Sequence, residues 1–290
     1  MEDIAYSNLD NPVTKRTLSI LHPESGSPPY PVILLTYAHE SRASDYTAMV
    51  EALLSRGYAV VQLGGSRENV GAWDDGFCAW AWLEANAASY DLDMNRALVF
   101  NHGIGIVGGL LGLGDKALWT EMLKYCPSPM PSTVHIKGVV TYNGWFLIPE
   151  GSLTWFGYFV LPTRMTDIKE DPQVAVARLV EIPYDEWRTT DQLDEPMRHL
   201  ASQLPLYYVS DPNPSGERPA FLLLYSDAEN VEIPSSESLA FAPALEKGGI
   251  PVQLQEISSS DFWSLKEPEI AARIADAIDV FAQQLFAAAP

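Results

Sequence analysis

Asn95-Arg96-Ala97-Leu98-Val99-Phe100-Asn101-His102-Gly103-Ile104-Gly105-Ile106-Val107-Gly108-Gly109 decides the fold of this chain. Arg96–Asn101 is a short apolar run with branched and aromatic side chains, which fits a strand buried on both faces. Small residues follow, and Ile104–Leu113 then has the composition of a buried helix. A strand that turns sharply into a helix presents one position at the carboxyl end of a parallel sheet. Glycine there tolerates positive φ and close approach of its neighbours. The glycines from Gly103 to Gly109 superficially suggest a nucleotide loop. No Gly-Lys-Ser/Thr accompanies them and the surrounding residues fit the elbow, so no cofactor is expected.

Outward from the elbow the same alternation continues. Apolar runs recur at Val32–Tyr37, Tyr58–Leu63, Ile136–Tyr142, Ala220–Tyr225 and Val252–Ile257. Helix-like stretches at Asp45–Arg56, Asp75–Ala87, Ser235–Glu246 and Pro268–Phe286 separate most of them. That order predicts an α/β fold, a mostly parallel sheet flanked by helices, with the more polar Lys15–Leu21 as an edge strand. A single domain over residues 1–290 is expected, interrupted by an insertion at 144–214. There the alternation stops and Trp145, Phe146, Trp155, Phe156, Tyr158, Phe159, Tyr184 and Trp187 accumulate. A connection this long inside a compact domain serves as a lid or cap more often than as idle loop. Its aromatics fit either a packed helical layer or a roof over a small-molecule pocket.

Composition narrows the partners. With 47% hydrophobic and 19% charged residues the chain is globular, and 18 Lys+Arg against 38 Asp+Glu gives a net charge of −20. An anionic surface excludes nucleic-acid backbones and anionic membranes as expected partners. The acidic start Met1-Glu2-Asp3 lacks a secretory signal pattern, and no apolar run approaches the ~18 residues of a membrane span. Cys78 and Cys126 make neither a disulfide framework nor a zinc set, so a reducing, cytoplasmic location is the expectation and no metal is expected. Nothing in the sequence decides the oligomeric state, and a homodimer stays open.

The chain resembles the α/β-hydrolase superfamily, especially small esterases of the carboxylesterase, feruloyl-esterase-like and kynurenine-formamidase-like groups. The resemblance runs through Pro31-Val32-Ile33-Leu34-Leu35-Thr36-Tyr37-Ala38-His39-Glu40, Ser55–Val61, Met94–Ile106 and the acidic loop Tyr225-Ser226-Asp227-Ala228-Glu229-Asn230. Such esterases carry Gly-His-Ser-Ala-Gly-Gly at the elbow, which places Gly103 where they keep the serine nucleophile. Their order is nucleophile, acid, histidine. The histidines here are His22, His39, His102, His135 and His199, all before the acid position near Asp227 or Glu229, and Asp261 stands where those esterases keep the base. Tyr37-Ala38-His39-Glu40 replaces their His-Gly-Gly-rich oxyanion run. The resemblance therefore implies the scaffold with its catalytic serine and histidine lost.

What survives fits a pocket that polarises a carbonyl without attacking it. Tyr37, His39, His102 and the Ile104 amide are the candidate hydrogen-bond donors. Glu229 or Asp261 is the candidate base where a proton must move, and Gly103, Trp145, Trp155 and Trp263 are the candidate lining. The expected function is a non-hydrolytic step on a hydrophobic small molecule of polyketide, terpenoid or alkaloid type: cyclisation or a pericyclic reaction, isomerisation or elimination. Two alternatives stay open, a ligand- or protein-binding pseudohydrolase and a hydrolase using an unorthodox carboxylate base.

Overall fold

The computed structural model describes residues 4–6, 17–36, 43–64, 72–103, 105–146, 178–179, 181–202, 204–211, 217–226, 233–259 and 265–287. Its strands are β1 (Ile4–Ala5), β2 (Thr17–Leu21), β3 (Tyr30–Thr36), β4 (Ala59–Gly64), β5 (Leu92–His102), β6 (Ile136–Tyr142), β7 (Ala220–Tyr225) and β8 (Val252–Glu256). They form one sheet in the order β1-β2-β4-β3-β5-β6-β7-β8. From β4 onward every neighbouring pair is parallel, while β2 runs antiparallel to both β1 and β4. The six parallel strands therefore end at one carboxyl edge, at Thr36, Gly64, His102, Tyr142, Tyr225 and Glu256.

The parallel, mostly apolar sheet expected from the sequence is present, with a correction at its first edge. The Lys15–Leu21 run, expected as the edge, yields β2, and β1 pairs outside it. A two-residue strand carries too little pattern to be recognised in a sequence. β2 alternates half-buried and buried side chains, as a strand with one covered face does, whereas Ala97–His102 of β5 is buried throughout.

The helices are α1 (Thr47–Leu54), α2 (Ala72–Asn86), α3 (Gly105–Leu113), α4 (Lys116–Met122), α5 (Glu195–Ala201), α6 (Pro205–Val209), α7 (Ser236–Lys247) and α8 (Pro268–Ala287). Two cores follow from the pleat, one on each face of the sheet. Val32 and Leu34 of β3 point to the face covered by α2 through α7, and Ile33 and Leu35 to the face covered by α1 and α8. On α8, Ile270, Ile274, Ile278 and Phe281 recur at helical spacing and seal the second core. Arg56 at the end of α1 pairs with Asp276 of α8 at 2.6 Å, and the Tyr58 hydroxyl donates to Asp279 at 2.7 Å.

Residues 181–202 and 204–211, within the stretch 144–214, pack into the first core. Trp187, Met197, Leu200 and Leu206 are buried there beside residues of α2, α3 and α4. Asp194 caps α5 by accepting from the Met197 amide at 3.1 Å, and Asp115 caps α4 by accepting from the Leu118 amide at 2.9 Å. Arg188 then reaches Asp115 at 3.1 Å, tying this layer to α4. Residues 147–177 of this stretch, with Trp155, lie outside the described residues.

The cysteines require a second correction. Cys78 and Cys126 form a disulfide, with Cα atoms 5.5 Å apart across 48 residues of sequence. They meet because α2 and the turn after α4 pack side by side, with Phe77 edge-on to Trp119 at 4.5 Å. With the disulfide present, the reason for expecting a reducing location no longer holds, since such bonds persist in oxidising compartments. Among the described residues no helix is long and apolar enough to cross a membrane.

Candidate active site at the carboxyl edge

The elbow sits at the carboxyl edge of the sheet. β5 ends at His102, Gly103 takes φ +75°, and α3 begins at Gly105. Positive φ strains an L side chain, a cost that glycine avoids at this turn. The Gly103 amide donates to the Tyr142 carbonyl at 3.1 Å, and the Gly103 carbonyl accepts from the Trp145 amide at 3.2 Å. The Ile106 amide donates in turn to the Trp145 carbonyl at 2.9 Å. The elbow is thus laced to the segment that follows β6.

That segment is held from two sides. The Phe146 amide donates at 3.0 Å to Glu237, a buried carboxylate in the first turn of α7. Asn143 adopts φ +47°, donates its amide to the Leu224 carbonyl at 2.9 Å, and accepts at 2.8 Å from the Ser226 amide through Oδ1. Asn is among the few residues that enter the left-handed region readily, and its side chain here joins the ends of β6 and β7. Trp145, one of the expected lining residues, is half-buried, and Phe146 is fully buried against Phe241.

Glycines 103, 105 and 108 fall at the spacing of a dinucleotide-binding turn, but their surroundings are protein. A Cβ on Gly105 would lie 2.7 Å from Cε1 of Phe146, and one on Gly108 would lie 3.0 Å from Cγ1 of Val139. Asn101 occupies the same gap beside Gly108, and its amide nitrogen donates to the hydroxyl of Thr36 at the end of β3. The glycines of α3 bring the helix close to the sheet.

His102 is completely buried. Its Nδ1 lies 2.8 Å from the Tyr46 hydroxyl, and its ring stacks on Tyr142 with centroids 5.6 Å apart. From Tyr142 a chain of hydroxyls crosses the edge: Tyr142 donates to Ser259 at 2.8 Å, and Ser259 donates to Ser226 at 2.8 Å. Ser226 follows β7 and Ser259 follows β8, so serine hydroxyls join the two loops on which the resemblance places the acid and the base. Of the expected site residues, the structure brings His102, Gly103 and Trp145 together. Tyr37, His39, Ile104, Glu229, Asp261 and Trp263 lie outside the described residues, although Thr36, Gly103, Ser226 and Ser259 mark where their segments depart from this edge.

Sequence reasoning missed Tyr46, Tyr142, Asn143, Ser226, Ser259 and Glu237. The single signal available for any of them was Ser226, directly before the acidic loop after a predicted strand. Glu237 and Tyr46 come from other elements, and nothing in their local sequence marks them. Among the described residues, no group of three or more His, Cys, Asp or Glu side chains is placed to hold a metal ion.

No family model matches the sequence, and comparison with curated proteins finds no relative. Solved structures do match. A truncated carbohydrate esterase from gut microbiota superposes with a TM-score of 0.62 at 14% identity, over 98% of this chain and 95% of that one. Esterase Est2 of the planctomycete Thermogutta terrifontis, described with propionate bound, gives 0.64 at 16% identity, over 100% and 96%. A bifunctional GH43-CE protein of Bacteroides eggerthii gives 0.63 at 18% identity, over 98% of this chain and 38% of its own. With the strand order and the elbow geometry, these likenesses show an α/β-hydrolase-type fold shared with esterases.

Proposed function

We propose that this α/β-hydrolase-type chain binds a hydrophobic, carbonyl-bearing small molecule at the carboxyl edge of its sheet and converts it without a serine nucleophile. Gly103 carries this reading. It occupies the strand-to-helix turn at φ +75°, and a glycine has no side-chain atom with which to form an acyl-enzyme. The sequence after His199 contains no histidine, so the base of an ordinary triad has no occupant either. The esterase neighbours, one named with bound propionate, support an acyl or other carbonyl group as the part of the ligand that enters this edge.

The chemistry that remains is positioning and polarisation. The Ile104 amide, with Tyr37 and His39, is the proposed set of hydrogen-bond donors to the carbonyl oxygen. Holding two reacting atoms of one substrate in a near-attack geometry lowers the barrier to cyclisation or a pericyclic step. Glu229 or Asp261 would take a proton from one carbon of the substrate and return it to another in an isomerisation.

The test incubates the protein with hydrophobic esters, lactones and enones and reads products by mass. Hydrolysis adds one water, whereas cyclisation and isomerisation leave the mass unchanged. The expected result is a mass-neutral product from at least one compound and no labelling of any serine by a fluorophosphonate probe. Labelled serine, or saturable p-nitrophenyl ester hydrolysis lost in Asp261→Ala, would overturn the reading.

One observation favours the second reading, a binding-only pseudohydrolase. His102, a candidate polarising donor, is buried and directs Nδ1 at Tyr46 rather than at open space. In the same panel that reading predicts saturable binding with no product.

A further inference from the structure

Asn143, the residue after β6, is 2% exposed, and the fold uses one half of its carboxamide. Its backbone amide donates to the Leu224 carbonyl, and Oδ1 accepts from the Ser226 amide. The other half, Nδ2, carries two N–H donors, and among the described residues neither has a partner. A buried donor left this way has given up water and gained nothing for it, which is why such groups are uncommon in native proteins.

Two other buried atoms nearby also lack partners, Asn101 Oδ1 and Thr141 Oγ1. Both lie inside the sheet, in register with each other and one residue short of the ends of β5 and β6. Asn101 Oδ1 is packed against Gly108 of α3 besides. Asn143 stands beyond its strand, at the carboxyl edge itself. The residues around it are bonded to the elbow: the Tyr142 carbonyl accepts from the Gly103 amide, and the Trp145 amide donates to the Gly103 carbonyl. In the sheet β5 lies between β3 and β6. Asn143 therefore flanks Gly103 on the side opposite Thr36, the end of β3, after which Tyr37 and His39 follow in sequence.

The turn that carries Asn143 is tightly held. A Cβ on Gly144 would lie 2.9 Å from Cζ of Phe146, and the Phe146 amide is fixed by the buried Glu237 carboxylate. With its backbone amide and Oδ1 both engaged, Asn143 has little freedom to turn Nδ2 toward another protein group. A donor fixed in advance costs no reorganisation when an acceptor arrives, which is what a polarising contact requires.

We propose that Nδ2 of Asn143 donates a hydrogen bond to a carbonyl oxygen of the bound molecule and selects for an uncharged one. This rests on the reading of the carboxyl edge as the ligand site, and it adds a donor on the β6 side of the elbow. The group itself sets the class of ligand. Two N–H donors call for an acceptor oxygen, and a carboxamide brings no positive charge to offset an anion. On a chain of net charge −20 the long-range field also disfavours a free carboxylate. Neutral esters, lactones and ketones fit, and their carbonyl-free counterparts leave the donor unmet.

Nuclear magnetic resonance titration of the nitrogen-15-labelled full chain with δ-decalactone, ethyl hexanoate and carvone tests this. The Asn143 side-chain signal is the one missing from Asn143→Asp, which keeps an oxygen for the Ser226 amide and tolerates positive φ but lacks the donor. Should that variant fail to fold, Asn143→Gly keeps the left-handed turn and serves the same purpose. At least one of the three compounds is expected to shift the Asn143 side-chain signal saturably. Its Kd should rise about ten-fold in Asn143→Asp, the worth of one hydrogen bond. The carbonyl-free counterparts, 2-pentyltetrahydropyran, ethyl hexyl ether and limonene, should show no difference between wild type and variant. Saturable shifts of the Gly103 and Gly105 amides with the Asn143 signal unmoved, or equal affinities in wild type and Asn143→Asp, overturn the inference and leave the reading of the edge standing. An equal loss of the carbonyl-free counterpart marks a structural role and overturns it as well. No shift of any signal with any of the three compounds overturns the inference and the reading of the edge together.

Discussion

The hydroxyl of Tyr46 lies 2.8 Å from Nδ1 of His102, inside a core where both residues are essentially inaccessible. The pair joins the turn Ala43–Tyr46 ahead of α1 to the last residue of β5. It therefore fixes the elbow from the α1 side, while Tyr142 supports the other face of the imidazole. Removing one partner of a buried hydrogen bond costs about 1–3 kcal/mol. Tyr46→Phe is accordingly expected to lower the unfolding free energy by that amount in a denaturant titration. His102→Ala should cost more, about 2–4 kcal/mol, because a ring-sized cavity is added. An unchanged midpoint in both variants would show that the pair does not support the elbow.

Gly103 separates conformation from chemistry. A side chain at φ +75° is expected to cost about 1–2 kcal/mol, so Gly103→Ala and Gly103→Ser should both be mildly destabilised and by similar amounts. Gly103→Ser alone is expected to leave p-nitrophenyl acetate hydrolysis at background, because no histidine base accompanies the new hydroxyl. Adding Asp261→His supplies one, and the double variant should exceed the single. Equal rates in the two would show that the positions after β8 and the elbow no longer face a common point.

The disulfide makes a prediction about folding in reducing buffer. Closing a loop of this length removes denatured-state entropy equivalent to about 4 kcal/mol at most. Reduction, or Cys126→Ser, is expected to lower the melting temperature by roughly 5–10 °C. A melting temperature indifferent to reductant, with the two thiols free by mass spectrometry, would remove the bond from the account.

The parallel strands and the elbow were legible because burial on both faces leaves a strong one-dimensional trace: Val32–Leu35, Leu98–Phe100 and Phe221–Leu224 are apolar almost without interruption. The strand order β1-β2-β4-β3-β5-β6-β7-β8 left no such trace, since pairing between strands distant in sequence is not written in any one of them. The Cys78–Cys126 bond was not legible, since two cysteines 48 residues apart acquire meaning only when α2 and the turn after α4 pack together. The hydroxyl chain from Tyr142 through Ser259 to Ser226 was hidden for the same reason, each member ending a different strand. α4 at Lys116–Met122 was missed because seven residues hold too few turns for a periodicity, and its N-terminal signal is one capping aspartate, Asp115.

Tyr58 gives the fold a one-sided pH dependence. Burial first, and then its hydrogen bond and proximity to the Asp279 carboxylate, push its phenol well above the ordinary value of 10. Tyr208 is raised for the same leading reason, burial, with the charge of Asp115 adding to it. For a group whose proton is held more tightly in the folded state, the stabilisation is whole below the unfolded pKa and drains away as the pH climbs above it. Below pH 10 neither tyrosine therefore changes stability with pH. Above pH 10 the unfolded chain releases both protons first, and each group removes about 1.4 kcal/mol per further pH unit. Urea midpoints measured from pH 8 to pH 11.5 should be flat with respect to these groups up to about 10 and fall beyond it, with phenolate absorbance from both appearing only as the protein unfolds. Tyr58→Phe begins lower by about 1 kcal/mol, the worth of its bond to Asp279, but should decline less steeply. Parallel declines in wild type and Tyr58→Phe would show that the phenol ionises as freely in the native core as in the unfolded chain.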